Sequence, residues 1–428
     1  MTHGDVVRIG PPLVKTAPRQ VAATDADLRE FRANMTIVRR FNRGPVAEAL
    51  AQVLAGPLSL RHALRGVRRY GRAVRDAYGV SVTRQFLLLA YDYFCRIRPH
   101  DFYLFRLYLP QNRRIRTRSF SFSEVLPMQQ YLIDRSNCPD YPLLRSKSKF
   151  AETCLAHGLP TVPLIAEFSA GQSEPAQPAL PDTDLFSKAS DMMLGMGAAL
   201  WRRVSPGLYV NAIDGAALDA ADLCDRLRAE SARGAAYGGS GALVLQRRVV
   251  NHPAMRGAIT TGALASIRVV TCRTPDGGID LLPPAIRMPV GDAIVDNAAQ
   301  GAVASPIDPE TGRICGPGVR KDERLGISIH HRHPTTGTAL VGFQIPYFPE
   351  VLALARRAHE VFSTIHFVGW DIAVLPDGPV LMEGNAWWDV EYLSVFGDVP
   401  QPVTLADTPF VAYCNHHFRA LRAGSGRA

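Results

Sequence analysis

Two short apolar runs, Gly369 to Leu375 and Pro379 to Asn385, separated by Pro376-Asp377-Gly378, constrain this chain more than any other stretch. Each run has the length and composition of a buried strand, and Pro-Asp-Gly is turn sequence, so the segment predicts a β-hairpin. A three-residue loop with Gly378 left-handed pairs Leu375 with Pro379 and, counting back, Asp371 with Glu383. Asn385 falls on the same face because alternate residues of a strand share a side. A two-residue loop shifts the register and parts the carboxylates. In the first register two carboxylates and an amide oxygen face one another, a donor set suited to a hard cation such as Mg2+ held together with nucleotide phosphates. A surface hairpin with scattered polar residues fits the same spacing.

The rest of the chain is long enough, at 428 residues, for two or three domains. Its net charge of +9 comes mostly from arginine and favours acidic partners without choosing among them. Seven cysteines lie far apart with no C-x-x-C pair or zinc spacing, which predicts a reduced, cytoplasmic setting. No apolar run approaches the roughly 20 residues of a membrane span, so no transmembrane segment is expected.

Taken in order, the first third reads as helix. Thr24 or Asp25 caps Leu28 to Met35, and Leu58 to Tyr78 carries apolar residues at helical spacing up to Gly79. Arg65, Arg68, Arg69, Arg72 and Arg75 give that second helix a basic face, either a solvated side or a docking face for an acidic partner or membrane surface. The aromatic stretch Tyr91 to Tyr108 is read as core packing between helices. No nucleic-acid-binding pattern accompanies it, so no nucleic-acid partner is expected.

Beyond Asp134 the pattern turns mixed. A helix after Lys147 closes at Gly158, and Leu159 to Leu164 reads as a strand entered through prolines. Asp184 to Lys188 is a short strand before the glycine-containing stretch 191–197, which matches neither the P-loop nor G-x-G-x-x-G and reads either as an ordinary hairpin turn or as a place where a lysine and backbone N–H groups meet one phosphate. Ala216 to Ala232 reads as an amphipathic helix and Ala242 to Val250 as a buried strand. Ser266 to Thr271 and Leu281 to Met288 form an antiparallel pair, each with one arginine in an apolar run. Buried arginine requires a partner, so Arg268 and Arg287 should meet carboxylates or bound phosphate. His330, His331 and His333 are placed in a loop, one of them available to substrate. A helix follows from Tyr347 to Phe362, and a last helix, Ala412 to Leu421, precedes a disordered tail.

In this order the pieces resemble an ATP-grasp enzyme: a lysine before a helix closed by Gly-Leu-Pro, a second lysine on a strand before a glycine loop, an apolar strand ending in Gln246, and an Asp…Glu-x-Asn hairpin. More narrowly, Leu245-Gln246-Arg247, Asn251-His252-Pro253-Ala254, Ile267-Arg268-Val269-Val270-Thr271, Ile286-Arg287-Met288, Val295-Asp296-Asn297 and His333-Pro334-Thr335-Thr336-Gly337 resemble the sugar-transfer-associated ATP-grasp group. The resemblance implies an α+β chain, an ATP-grasp fold with two α+β lobes holding ATP between antiparallel sheets. It divides the chain into an N-terminal helical region (1–135), a first lobe (136–255) and a second lobe (256–428).

The resemblance also implies roles. Lys147, with Lys149 as a rival, and Lys188 correspond to the lysines on the ATP phosphates. Gln246 and the backbone of Arg247 and Arg248 fall where the family grips adenine. Asp371, Glu383 and Asn385 correspond to the Mg2+ ligands, and Arg268 and Arg287, with Asn297 beside them, face the triphosphate or an acyl phosphate. No acidic residue lies between Gln246 and His252 to hold the ribose. The implied reaction joins small-molecule carboxylate and amine substrates through an acyl phosphate, on a saccharide precursor, amino acid or secondary metabolite. A kinase acting on a hydroxyl and a non-catalytic nucleotide-binding scaffold in polysaccharide assembly are the alternatives, and a homodimer is left open.

Overall fold

The structure is a computed structural model that describes residues 22–47, 50, 55–94, 97–190, 198–235, 241–260, 262–293, 301–391, 393 and 404–425. The N-terminal part is helical: α1 (Asp25–Arg43), α2 (Ala55–Gly66), a π-helical turn (Val67–Gly71), α3 (Arg72–Tyr78), α4 (Val82–Phe94), α5 (Pro99–Leu104) and α6 (Phe122–Arg135). Thr24 starts α1 with a reciprocal capping box, its hydroxyl accepting from the Asp27 N–H while Asp27 accepts from the Thr24 N–H at 2.9 Å. Gly79 ends α3 in the left-handed conformation, as expected for that position.

After the short α7 (Tyr141–Arg145), α8 (Lys147–Ala156) leads into a seven-stranded antiparallel sheet. Its strands are β1 (Leu164–Ser169), β2 (Gln172–Glu174), β3 (Leu185–Ala189), β4 (Ala199–Ser205), β5 (Leu208–Asn211), β6 (Ala217–Asp219) and β7 (Leu243–Arg247), in the order β2-β1-β7-β3-β4-β5-β6. Helix α9 (Ala220–Ala235) packs Leu223 and Leu227 against Phe168, Leu185 and Trp201 on one face of it.

The larger antiparallel sheet holds β8 (Ser266–Arg273), β9 (Ile279–Leu281), β10 (Ala285–Met288), β11 (Val303–Pro306), β12 (Gly318–Asp322), β13 (Gly326–His330), β14 (Phe367–Leu375) and β15 (Gly378–Asn385). The order is β13-β12-β11-β10-β8-β14-β15, with β9 on β8. Helix α10 (Phe348–Val361) covers one face through Ile267, Val269, Ile286, Trp370 and Ile372. The other face is covered at both ends by helices from the chain termini. α1, α6 and α11 (Phe410–Ser425) bury Val270 and Cys272, and α5 with the segment after it buries Ala285, Val319 and Ile327. Both faces being dry explains why β14 is buried along its length up to Leu375.

Several expectations need correction. Leu159 to Val162 is a link between the sheets, with strand beginning only at Leu164. The Pro283-Pro284 pair removes two ladder donors and splits the run from Leu281 to Met288 into β9 and β10. Ala217 to Asp219 is strand, so the helix expected from Ala216 starts at Ala220. The last helix extends to Ser425. Tyr103, Phe105 and Tyr108 are buried as expected, whereas Tyr91 is exposed beneath the guanidinium of Arg116. The stretch 191–197 and Asn297 lie outside the described residues.

A cluster of carboxyl groups joins the helical part to the large sheet. Ser121 and Glu124 form the capping box of α6, and Glu391, just past β15, accepts from the first N–H of that helix, on Phe122, at 3.1 Å. Burial, then the charge of Glu124, pushes the Asp101 carboxyl up to about 6; burial, then Asp389, pushes Glu391 up to about 7. Burial raises Glu124 as well. Raised carboxyl groups stabilise the fold fully below their unfolded values near 4, and that stabilisation is lost as pH rises through 6 and 7. For Asp101, a rise from 3.8 to about 6 corresponds to about 3 kcal/mol. Glu391→Gln is therefore expected to flatten the fall in Tm between pH 5 and pH 8; a variant with the parental pH slope would show that Glu391 does not titrate in this range.

Candidate functional site

The hairpin of β14 and β15 brings Asp371 opposite Glu383, but by a different route from the expected three-residue loop. Leu375 pairs with Gly378, leaving Pro376 and Asp377 as a two-residue turn. An irregularity between Asp371 and Ile372 then takes up the register: Ile372 pairs with Leu381, Asp371 with Glu383, and Met382 is the extra residue. A β-bulge of this kind re-aims the strand at its functional end. Asn385 pairs with Gly369, two residues from Asp371, and so shares its face.

Arg268 and Arg287 meet on the same carboxylate. In the ladder Arg268 is the partner of both Asp371 and Ala285, while Arg287 stands opposite Ser266. Arg268 donates Nε to Asp371 Oδ1 at 2.6 Å and Nη2 to Oδ2 at 3.1 Å. Arg287 Nη2 lies 2.9 Å from Asp371 Oδ2 and donates to Ser266 Oγ at 2.8 Å. Burial alone would push the Asp371 carboxyl up; the two guanidiniums outweigh it and hold the group well below the usual carboxylate range. Gly369 is required here, since a Cβ would stand 2.7 Å from Trp388 Cβ and 3.2 Å from Arg268 Nη1.

Asn385 Nδ2 lies 3.4 Å from Asp371 Oδ2 and 3.3 Å from Glu383 Oε1. Lys147, the first residue of α8, reaches in from the other side: its Nζ lies 3.9 Å from Glu383 Oε2 and donates to the Ser190 carbonyl at 3.3 Å. Ser190 follows β3 directly, so Lys147 spans from one sheet to the other. Lys149 is exposed on the outer side of the same turn.

The remaining predicted residues lie on the smaller sheet. Lys188 and Phe186 alternate with Leu185, Ser187 and Ala189, which are buried, and Phe186 pairs with Gln246. Gln246 Nε2 is tied to the Val162 carbonyl at 3.0 Å. Arg247 is exposed, and Arg248 pairs with Asp184 at 2.8 Å while its backbone N–H donates to the Asp184 carbonyl. Lys188 and Gln246 thus stand on the smaller sheet, which Lys147 links to Glu383 through its bond to the Ser190 carbonyl. His333 is a turn residue: buried, bonded to the Pro289 carbonyl at 3.0 Å, with its other ring nitrogen facing the N–H groups of Thr335 and Thr336. His330 closes β13 rather than lying in a loop.

Two links hold the sheets at the hairpin. Leu381 N–H donates to Pro160 O and Thr161 Oγ1 donates to Leu381 O, one residue from the bulge, while neighbouring Val162 takes the Gln246 bond. His252 N–H donates to Val374 O, and Asn251 ties Ala265 and Val374 together. Sequence reasoning missed Ser266, the Ser190 carbonyl and Trp388; only Ser266, two residues before Arg268 on its strand, carried a local signal.

Among the described residues no three His, Cys, Asp or Glu side chains are placed to hold a metal ion. The candidate ligands are instead two carboxylates and one side-chain amide; Asn385 turns its Nδ2 toward both carboxylates, and a flip of that amide would present its oxygen and complete an oxygen set that suits Mg2+. Three cations (Lys147, Arg268, Arg287) and two anions (Asp371, Glu383) leave the cluster at +1. Such a cluster repels a bare divalent ion and attracts a polyanion. The residues therefore fit magnesium that arrives on a nucleotide.

The sequence matches the family described as sugar-transfer associated ATP-grasp over residues 128–399, more than half of the chain. No curated protein sequence matches. Among solved structures, the ADP complex of the N5-carboxyaminoimidazole ribonucleotide synthetase purK is 10% identical, with a TM-score of 0.34, and the similarity covers 62% of this chain and 50%, half, of that one. D-alanine–D-alanine ligase from Bacillus anthracis is 10% identical, with a TM-score of 0.33 over 67% of this chain and 70% of that one. D-alanyl-alanine synthetase A from Vibrio cholerae O1 biovar eltor is 10% identical, with a TM-score of 0.37 over 65% and 66%. Likeness at this level assigns no substrate.

Proposed function

The chain belongs to the sugar-transfer-associated ATP-grasp family, and from that premise we propose that it is an ATP- and magnesium-dependent ligase joining a carboxylate to an amine, with release of ADP and phosphate. The observation that carries the reading is the convergence of Arg268, Arg287, Asp371, Glu383 and Asn385 on one sheet face, with Lys147 reaching them from the other sheet.

The chemistry follows from charge. Moving a terminal phosphoryl group to a carboxylate crowds anionic oxygens together, and preorganised cations offset that repulsion best in a site that excludes water. A substrate carboxylate oxygen forms a bond to the γ-phosphorus as the bond to the ADP oxygen breaks. The amine nitrogen then adds to the acyl carbon, phosphate leaves, and the nitrogen gives up a proton. Lys147 and Lys188 hold the phosphates, Arg268 and Arg287 face the transferred group, and Gln246 with the backbone of Arg247 and Arg248 borders the adenine. Asp371, Glu383 and Asn385 would hold magnesium, which would supply positive charge to offset that of the phosphates.

The acceptor class is a saccharide precursor, an amino acid or a secondary metabolite. Incubating the protein and ATP with pairs of candidate acids and amines, identifying products by mass and separating ADP from AMP, tests the proposal. An amide with ADP supports it. A stable phosphorylated hydroxyl product without an amide assigns a kinase instead, and nucleotide binding without turnover on any pair assigns a scaffold.

A further inference from the structure

We infer that the outer face of the helix running through α2, the π turn and α3 docks on an anionic lipid surface. Its buried stripe is Ser59, Ala63, Val67, Tyr70 and Val74. Around the opposite side stand Arg61, Arg65, Arg68, Arg69, Arg72 and Arg75, all exposed. The one acidic residue of this helix, Asp76, is paired with Arg75 at 2.8 Å.

A merely solvated helix side mixes charges of both signs three or four residues apart. Here Arg61 and Arg65, Arg65 and Arg69, and Arg68 and Arg72 are like charges four apart, each pair unfavourable in water. Residues 55–94 contain seven arginines and two aspartates, so they carry +5 of the chain's +9. The second aspartate, Asp92, is buried and held by Arg113 and Arg116. The field of this region is thus left for an external anion.

The apolar residues decide what kind of anion. Leu60 and Leu64, four apart on the flank of the buried stripe beside the arginine row, are 56% and 42% exposed, and Leu87 of the neighbouring α4 is 63% exposed. A nucleic acid or acidic polysaccharide offers nothing to these leucines. A bilayer containing acidic lipid offers phosphate to the arginines and acyl chain to the leucines at one interface. Among the described residues no helix is long and apolar enough to cross a membrane, so the contact is peripheral.

The test is flotation of the full chain with equimolar phosphatidylcholine and phosphatidylglycerol vesicles against pure phosphatidylcholine vesicles. Binding is expected to the first and not the second, and to weaken with salt. Each arginine removed should lower affinity about fivefold, so Arg65→Gln/Arg68→Gln/Arg72→Gln should lose about a hundredfold. Leu60→Ser/Leu64→Ser should lose at least about tenfold at unchanged charge. All five positions are exposed and none belongs to the proposed nucleotide-binding residues, and unchanged circular dichroism and ATP turnover in the absence of vesicles confirm that the variants fold. Failure to float with the anionic vesicles overturns the inference. So does binding that heparin displaces and the leucine substitutions leave intact, because that pattern assigns a polyanion.

Discussion

Asp371→Asn is expected to lower ATP turnover roughly a thousandfold while leaving magnesium-free nucleotide binding intact. The substitution keeps the side-chain shape and removes one negative charge, taking the cluster of Lys147, Arg268, Arg287, Asp371 and Glu383 from +1 to +2. Attraction for the triphosphate therefore does not fall. What falls is the capacity to hold magnesium at the two carboxylates, since an amide oxygen is a weaker ligand for a hard dication. The gain in ATP affinity on adding magnesium should disappear, and calorimetry with and without the ion reads that gain directly. The fold also suffers: two guanidiniums, with side chains 12% and 19% exposed, lose their shared counter-charge. That loss is worth about 3 kcal/mol in denaturant unfolding. Unchanged turnover in the variant would remove Asp371 from the proposed machinery.

The pairing of Asp371 with Glu383 was legible in the sequence, though its cause was not. Pro376-Asp377-Gly378 marks a turn, but whether Gly378 ends the loop or opens the strand depends on where the ladder slips, and nothing local in the sequence marks the slip at Met382. A partner for Arg268 and Arg287 was legible as a requirement of burial. Its identity was not, because Asp371 lies 103 residues from Arg268 and only the strand order β10-β8-β14 makes them neighbours. The ATP-grasp fold was legible from the succession of motifs. The covering of the sheet face that carries Arg268 and Asp371 by the N-terminal helices was not: Ala285 and Val270 carry no mark showing that α5 buries one and α1 with α6 the other. For the same reason nothing in the sequence around Asp101 and Glu391 marks the burial that the tertiary fold gives them.

Arg268→Met should be the most damaging single change at an arginine. Arg268 makes two of the charged hydrogen bonds to Asp371, whereas Arg287 makes one and divides its guanidinium with Ser266. Removing Arg268 leaves a carboxylate that is 3% exposed with a single cation, for a loss of about 3 kcal/mol; Arg287→Met should lose about half of that. Arg268→Lys recovers little, since an ammonium cannot make the two-pronged contact. Stability alone does not tell a structural ion pair from a catalytic one, because both lose energy when one partner goes. The triple substitution Arg268→Met/Arg287→Met/Asp371→Leu separates them. It replaces the whole charged group by apolar side chains, and buried ion groups replaced in this way often leave a fold as stable as before or more so. If the cluster serves nucleotide chemistry, the triple variant should regain Tm relative to Arg268→Met yet show no ATP turnover. Turnover restored along with Tm would make the cluster a structural pair and leave Glu383, Asn385 and the lysines to act without it.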